Sequence, residues 1–179
     1  DIALISVGDL VVRKNYGVAI EAIAKSADKK LHYFICGQGP ELESLKQLVT
    51  DKGISEQVHF LGFRTDIREL LYASDIFLFT TLQEGMPRSM IEAMACGLPC
   101  IASKVRGNVD LVQNNVNGFL CDPHDHGSFA NALNMLVSNP EIAEKMKKAC
   151  LESITQFDSK TVKENLRDIY NQACNMLAD

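Results

Sequence analysis

Six short apolar runs, each followed by a turn or a stretch of helical periodicity, constrain this chain more than any other feature. They are Ile2–Val7, Leu31–Cys36, 58–61, Ile76–Phe79, 99–102 and Gly118–Cys121. Runs this short and continuous read as strands buried on both faces. The segments between them are amphipathic. Val18, Ala19, Ala22 and Ile23 recur at helical spacing in a helix to about residue 27, with Asn15 placed to cap it. Leu42, Leu45, Leu48 and Val49 mark a second helix over 41–52, and Ile67, Leu70 and Leu71 a third over 66–73. A short helix is expected over 108–113. After the last strand the chain reads as helix only: 128–137, 141–153 and 159–177, with Asn139-Pro140 separating the first two. Strands alternating with helices across short connections specify an α/β fold. It is an open, mostly parallel six-stranded sheet with helices on both faces and a helical C-terminus.

The chain has 179 residues, 46% of them hydrophobic and 23% charged, which suits one domain with a real core. Its net charge is −5 and its Lys and Arg residues form no block, so a nucleic-acid partner is not expected. No apolar run approaches the roughly 20 residues of a membrane span. The six cysteines include no C-x-x-C pair and lie mostly among apolar neighbours. They read as reduced core thiols of a cytosolic protein. The sequence opens directly into a strand without a leader, which suggests a piece of a longer protein cut at a domain boundary.

In a parallel sheet of this kind, ligands bind beyond the carboxyl ends of the strands. The loops expected at that edge are 8–15, 37–40, 61–65 and 80–87. Gly37-Gln38-Gly39-Pro40 begins like a dinucleotide-binding turn, but Leu42 stands where the third glycine belongs and Pro40 lacks an amide donor. There is no G-x-x-x-x-G-K-[ST] loop and no G-x-S-x-G elbow. His124 and His126 lie in a polar loop with no matching third ligand, so no metal site is assigned there.

What that edge does carry is a cation pair, Arg13-Lys14, after the first strand, and the stretch Glu84-Gly85-Met86-Pro87-Arg88-Ser89-Met90-Ile91-Glu92 after the fourth. Pro87 suits the first position of a helix that Gly97 would end. A helix N-terminus with neighbouring cations can neutralise a diphosphate without a metal. A carboxylate can accept two sugar hydroxyls at once. Spacing alone leaves plainer readings open: Lys14 as a solvated loop charge, Glu84 as a turn residue, and Glu92 as a surface ion pair with Arg88 four residues away.

Glu84-x7-Glu92, set in EGMPRSMIEAMACGLPCIAS, resembles the signature of a large family of retaining nucleotide-sugar glycosyltransferases. These share the GT-B fold, in which two Rossmann-like domains face each other. The resemblance extends through SVGDL with Lys14-Asn15, ICGQGPELESL, VHFLGFRTDI, ASDIFLFTT and RGNVDLVQNNVNGFL. It is nearest to the bacterial capsular and exopolysaccharide transferases. It implies that residues 1–179 are a single Rossmann-like, donor-binding C-terminal domain whose N-terminal acceptor domain is absent, so that this chain alone binds donor without turnover. It also implies that the final helix crosses back to that domain.

The resemblance further implies residue roles. Glu92 would hold the ribose hydroxyls, and Glu84 the transferred sugar, near the amides of Gly85 and Met86. Amides near Ser89 and Met90 would meet the distal phosphate, and Lys14 would bridge the diphosphate. Phe63 and Arg64 would border the base, with Gly37 and Gly39 shaping the pocket. Many members carry Arg where this chain has Asp9, and Arg13 is the candidate substitute. Arg106-Gly107 stands where many have Gly-Gly, and Asp110 where Glu is usual.

The implied partners are a nucleoside-diphosphate sugar, by default a UDP-sugar, and a glycan or lipid-linked acceptor, in surface polysaccharide synthesis. No cofactor or metal is expected. The location implied is cytoplasmic, at or near the inner membrane face. Two alternatives stand beside this: a non-catalytic nucleotide-binding or interaction module, and one half of a nucleotide-sugar epimerase.

Overall fold

The computed structural model describes residues 1–26 and 30–158, together with 161, 163, 166–168 and 170. Six strands form one sheet in the order β3-β2-β1-β4-β5-β6, and every pairing is parallel. They are β1 (Ile2–Val7), β2 (Leu31–Cys36), β3 (Val58–Gly62), β4 (Ile76–Phe79), β5 (Cys100–Ser103) and β6 (Gly118–Cys121). The helices are α1 (Tyr16–Lys25), α2 (Leu42–Asp51), α3 (Ile67–Tyr72), α4 (Arg88–Ala95), α5 (Asn108–Leu111), α6 (His126–Ser138) and α7 (Pro140–Ser153). The helix expected over 159–177 lies outside the continuously described residues.

Side chains alternate across the sheet, as the two-residue period of a strand demands. Leu4, Ile76, Leu78, Ile101 and Phe119 face one layer, which α1, α2 and α6 cover with Ile20, Ile23, Leu45 and Phe129. Ile5, Phe77, Phe79, Cys100 and Ala102 face the other, which α3, α4 and α5 cover with Leu71, Met90, Met94 and Leu111. Helix α7 supplies Met146 to the first layer and Cys150 to the second. Because both faces are covered, the strands have no polar side, which is why their sequences read as unbroken apolar runs. The five described cysteines are free thiols, and only Cys96 is not fully buried. Cys174 lies outside the described residues.

One buried polar tie runs across three strands. Ser6 on β1 shares a hydrogen bond with the Tyr33 hydroxyl of β2 at 2.8 Å and donates to the Leu78 carbonyl of β4. Burial pushes the Tyr33 phenol well above its ordinary pKa, so it stays neutral.

Local chemistry departs from the sequence reading at four places in the connecting segments. Two 3-10 turns, Val12–Lys14 and Ile154–Phe157, replace expected loop and helix boundary. Asn15 does not cap α1 with its side chain. It adopts a left-handed conformation, φ 54°, and its amide group donates instead to the Pro123 carbonyl at 2.8 Å. Helix α6 begins at His126 because Asp125 caps it, accepting from the Gly127 amide at 2.9 Å.

Two glycines fix how the edge loops meet. A Cβ on Gly37 would overlap the Gly8 carbonyl, and one on Gly39 would overlap the Leu10 backbone. The two loops are laced together by backbone bonds, Gly8 N–H to Cys36 O and Leu10 N–H to Gln38 O, both 2.9 Å. Gly37→Ala is therefore expected to cost about 1–3 kcal/mol through forced separation of these backbones. Denaturant titration checks this; an unchanged midpoint would contradict the contact.

His32 and His59 pair between β2 and β3, ring nitrogens 3.2 Å apart, with Phe34 stacked on His59. Burial, then the neighbouring His32, lowers the pKa of His59, while Glu56 opposes this weakly. The unfolded state thus takes up a proton that the folded state resists. Stability should be full above the ordinary histidine range near pH 6.5 and decline as pH falls through the lowered value. His59→Gln should flatten that decline in denaturation midpoints measured across it.

Candidate nucleotide-sugar site

Strand order reverses between β1 and β4: the chain leaves β1 toward β2 and leaves β4 toward β5. The two connections diverge and open a crevice beyond the carboxyl ends, the standard ligand position in such sheets. Here the 3-10 turn after β1 lies against the loop after β4. The Leu82 amide donates to the Arg13 carbonyl at 2.8 Å. Thr80 donates to the carbonyls of Lys14 and Asn15, at 3.1 and 2.9 Å, and Thr81 to that of Arg13 at 3.1 Å. Two threonine hydroxyls therefore hold the backbone that presents Arg13 and Lys14.

Those two cations converge on Glu84. Its Oε1 accepts from Lys14 Nζ at 2.6 Å and from Arg13 at 3.1 Å, and it shares the Thr81 hydroxyl proton, at 3.1 Å, with the Arg13 carbonyl. Arg13 also donates to the Gln83 carbonyl at 2.8 Å. The Lys14 and Glu84 side chains are only 13% and 11% exposed, so this contact is far less screened than a surface ion pair. Lys14 runs over Gly8, where a Cβ would crowd its Cε, and its ammonium sits 4.8 Å from the Phe79 ring centre. Tyr16 steadies the same loop by donating to the Gly8 carbonyl at 2.9 Å. Burial, with Asp9 nearby, raises the Tyr16 phenol, so it remains a neutral donor.

Helix α4 starts one residue later than the sequence suggests. Pro87 is its N-cap rather than its first turn, with φ −78° and ψ 92°. The amides of Met90 and Ile91 fold back on the Pro87 carbonyl, at 3.0 and 3.2 Å. The Met90 amide, expected to face a phosphate, is thus already engaged. Those of Gly85, Met86, Arg88 and Ser89 donate to no group among the described residues. Four unpaired N–H groups at a helix start form an anion-binding arrangement. Space is open where a Gly85 side chain would be.

The other expected site residues are placed as follows. Glu92 is exposed on α4 and forms no ion pair with Arg88. It lines a hollow of about 400 Å³ between α3 and α4 with Thr65, Arg68 and Tyr72. This is a different hollow from the one that Glu84 lines. Phe63 is 72% exposed beyond β3, and Met86 is 64% exposed beyond β4. Arg64 is taken up locally by both oxygens of Asp66, at 2.8 and 2.5 Å, and that pairing raises the Arg64 pKa and lowers that of Asp66. Gly37 and Gly39 serve loop packing, as described above.

Sequence patterning did not single out Arg106 and Asp110 as site residues. They line a cleft of about 660 Å³ together with Arg13, Gln83, Glu84 and Gly85. Gly107 brings them there. It has φ 85°, and a Cβ on it would overlap the Gly85 carbonyl. The available signal was the Arg106-Gly107 pair itself, a local departure whose partner lies some twenty residues earlier in the chain.

Among the described residues no group of three or more His, Cys, Asp or Glu is arranged to hold a metal, and no helix is long and apolar enough to cross a membrane.

Known proteins resemble this chain in sequence and in fold. An Escherichia coli UDP-Gal:α-D-GlcNAc-diphosphoundecaprenol α-1,3-galactosyltransferase is 37% identical over 140 residues, covering 77% of this chain and 36% of that protein. A Bacillus anthracis N-acetyl-α-D-glucosaminyl L-malate synthase is 33% identical over 153 residues, 85% of this chain and 40% of its own length. The crystal structure of Anabaena HepE in complex with UDP superposes with a TM-score of 0.92 at 27% identity, covering 96% of this chain and 49% of that one. The chain thus spans about half or less of the proteins it matches. The model of the family described as glycosyl transferases group 1 matches residues 1–152, and this chain belongs to that family.

Proposed function

We propose that residues 1–179 form the donor-binding half of a retaining, metal-independent hexosyltransferase. It would take a sugar from a nucleoside-diphosphate sugar, by preference a UDP-sugar. The observation that carries this reading is the convergence of Lys14 and Arg13 on Glu84 beside the unpaired amides of the α4 start. Positive charge and free donors stand where a diphosphate would lie, with a carboxylate next to them where a sugar hydroxyl would lie. The UDP held by the similar HepE fold supports the choice of nucleotide.

In this reading the chemistry is electrostatic. Breaking the bond between the anomeric carbon and the diphosphate leaves negative charge on the phosphate oxygens and positive charge on the sugar. Lys14, Arg13 and the amides of Arg88 and Ser89 stabilise the first. The Glu84 carboxylate lies next to the second. Glu92, free of any ion pair among the described residues, is available to accept ribose hydroxyls, and Phe63 offers a ring near the base. Attack from the face of the departing diphosphate would retain configuration. The acceptor, a glycan or lipid-linked glycan at the cytoplasmic membrane face, would be held by an N-terminal domain outside this chain.

Before donor binds, Glu84 competes with the diphosphate for Lys14. Glu84→Gln removes that competition, so it should bind UDP at least as tightly as the parent while losing the extra affinity for the UDP-sugar. Lys14→Ala should weaken UDP by about 10- to 100-fold, the value of a charge-assisted hydrogen bond. Glu92→Ala should weaken UDP while sparing inorganic pyrophosphate, which has no ribose. Titration calorimetry measures all three. A Lys14→Ala variant that binds UDP like the parent would remove Lys14 from this role, and binding of NADH in place of any nucleoside diphosphate would overturn the reading.

A further inference from the structure

Resting on the donor-site reading above, we infer that Arg106 and Asp110 are the residues that select the transferred sugar, and that the sugar selected is a neutral polyhydroxyl hexose. Three observations place them. Both line the cleft that contains Glu84, together with Arg13, Gln83 and Gly85. The Gly107 backbone lies so close to the Gly85 carbonyl that a Cβ there would overlap it, so the start of α5 sits against the loop that carries Glu84. Both side chains are exposed, and neither forms an ion pair or hydrogen bond with any described residue.

The chemistry follows from what each group has left to give. Lys14 and Arg13 are drawn to Glu84, and in the donor complex they would turn to the diphosphate. Arg106 keeps its donors and Asp110 keeps its acceptors. A hydroxyl both donates and accepts, so a sugar presenting adjacent hydroxyls satisfies both at once. With Arg13 turned to the diphosphate, the charges left lining the cleft are Arg106 against both Glu84 and Asp110, so acid outweighs base. Such a wall disfavours a uronate carboxylate. A site built to hydrogen-bond hydroxyls also discriminates strongly among them, because an epimer that misplaces one leaves a charged group unpaired.

The test is titration of the chain, and of its Arg106→Ala and Asp110→Asn variants, with UDP, UDP-glucose, UDP-galactose, UDP-N-acetylglucosamine and UDP-glucuronate. Both positions are exposed and unpartnered, so folding should be unaffected; circular dichroism checks this. The parent should prefer one neutral sugar nucleotide over UDP-glucuronate. Each variant should bind UDP within about twofold of the parent while the preference among sugars falls by about tenfold, the worth of one lost charged hydrogen bond. Unchanged sugar preferences in both variants, or a parent that prefers UDP-glucuronate, would overturn this inference and leave the donor site standing. A parent that binds neither UDP nor any UDP-sugar would overturn the donor-site reading and this inference with it.

Discussion

One oxygen atom ties the functional edge of this protein together. Glu84 Oε1 accepts three hydrogen bonds, two from cations on the loop after β1 and a shared one from a threonine on its own loop. The groups it joins lie about seventy residues apart in sequence, and only the reversal of strand order at β1 and β4 makes them neighbours. The rest of the site is arranged around that junction. Thr80 and Thr81 hold the cation-bearing backbone, Tyr16 holds Gly8, and Gly8 leaves room for the Lys14 stem. Near-burial of Lys14 and Glu84 means that each would carry a costly unpaired charge if its partner left. A ligand that draws Lys14 away must therefore bring its own negative charge, which a diphosphate does.

The geometry also separates two carboxylates that share one motif. Glu84 sits in the loop, neutralised by its cations. Glu92 sits a turn into α4, in another hollow, with no ionic partner among the described residues. Eight positions apart, they straddle the helix start whose unpaired amides lie between them in sequence. In the proposed donor complex they would take different ends of one extended ligand, sugar at Glu84 and ribose at Glu92.

The sheet was legible because its strands are buried on both faces, which forces continuous apolar runs of four to six residues. All six strands fall within one residue of their expected bounds. The site was legible in part. Charge and spacing left plainer readings open for Lys14, Glu84 and Glu92, the family resemblance proposed their roles, and neither showed that Glu84 receives the two cations. That contact depends on strand order, which no local pattern encodes. The 3-10 turn at Val12–Lys14 was hidden because, beyond its own short-range backbone bonds, it is held by Leu82, Thr80 and Thr81. Gly37 and Gly39 looked like ligand-loop glycines, yet what demands their lack of a side chain is the approach of residues 8–10. Asn15 looked like a helix cap, but its side chain is drawn to Pro123, more than a hundred residues away.

Relatives and fold place this chain among the group 1 glycosyl transferases, and the central claim built on them is that the crevice at the β1–β4 reversal holds a nucleoside diphosphate. Amide chemical-shift mapping during a UDP titration tests it most directly. The account predicts that the largest shifts fall at Gly85, Met86, Arg88 and Ser89, with Lys14 and the Gly62–Thr65 loop following in parallel at one saturating stoichiometry. Shifts confined to the amino ends of the strands, or to the Gly37–Pro40 turn with the α4 start silent, would contradict it.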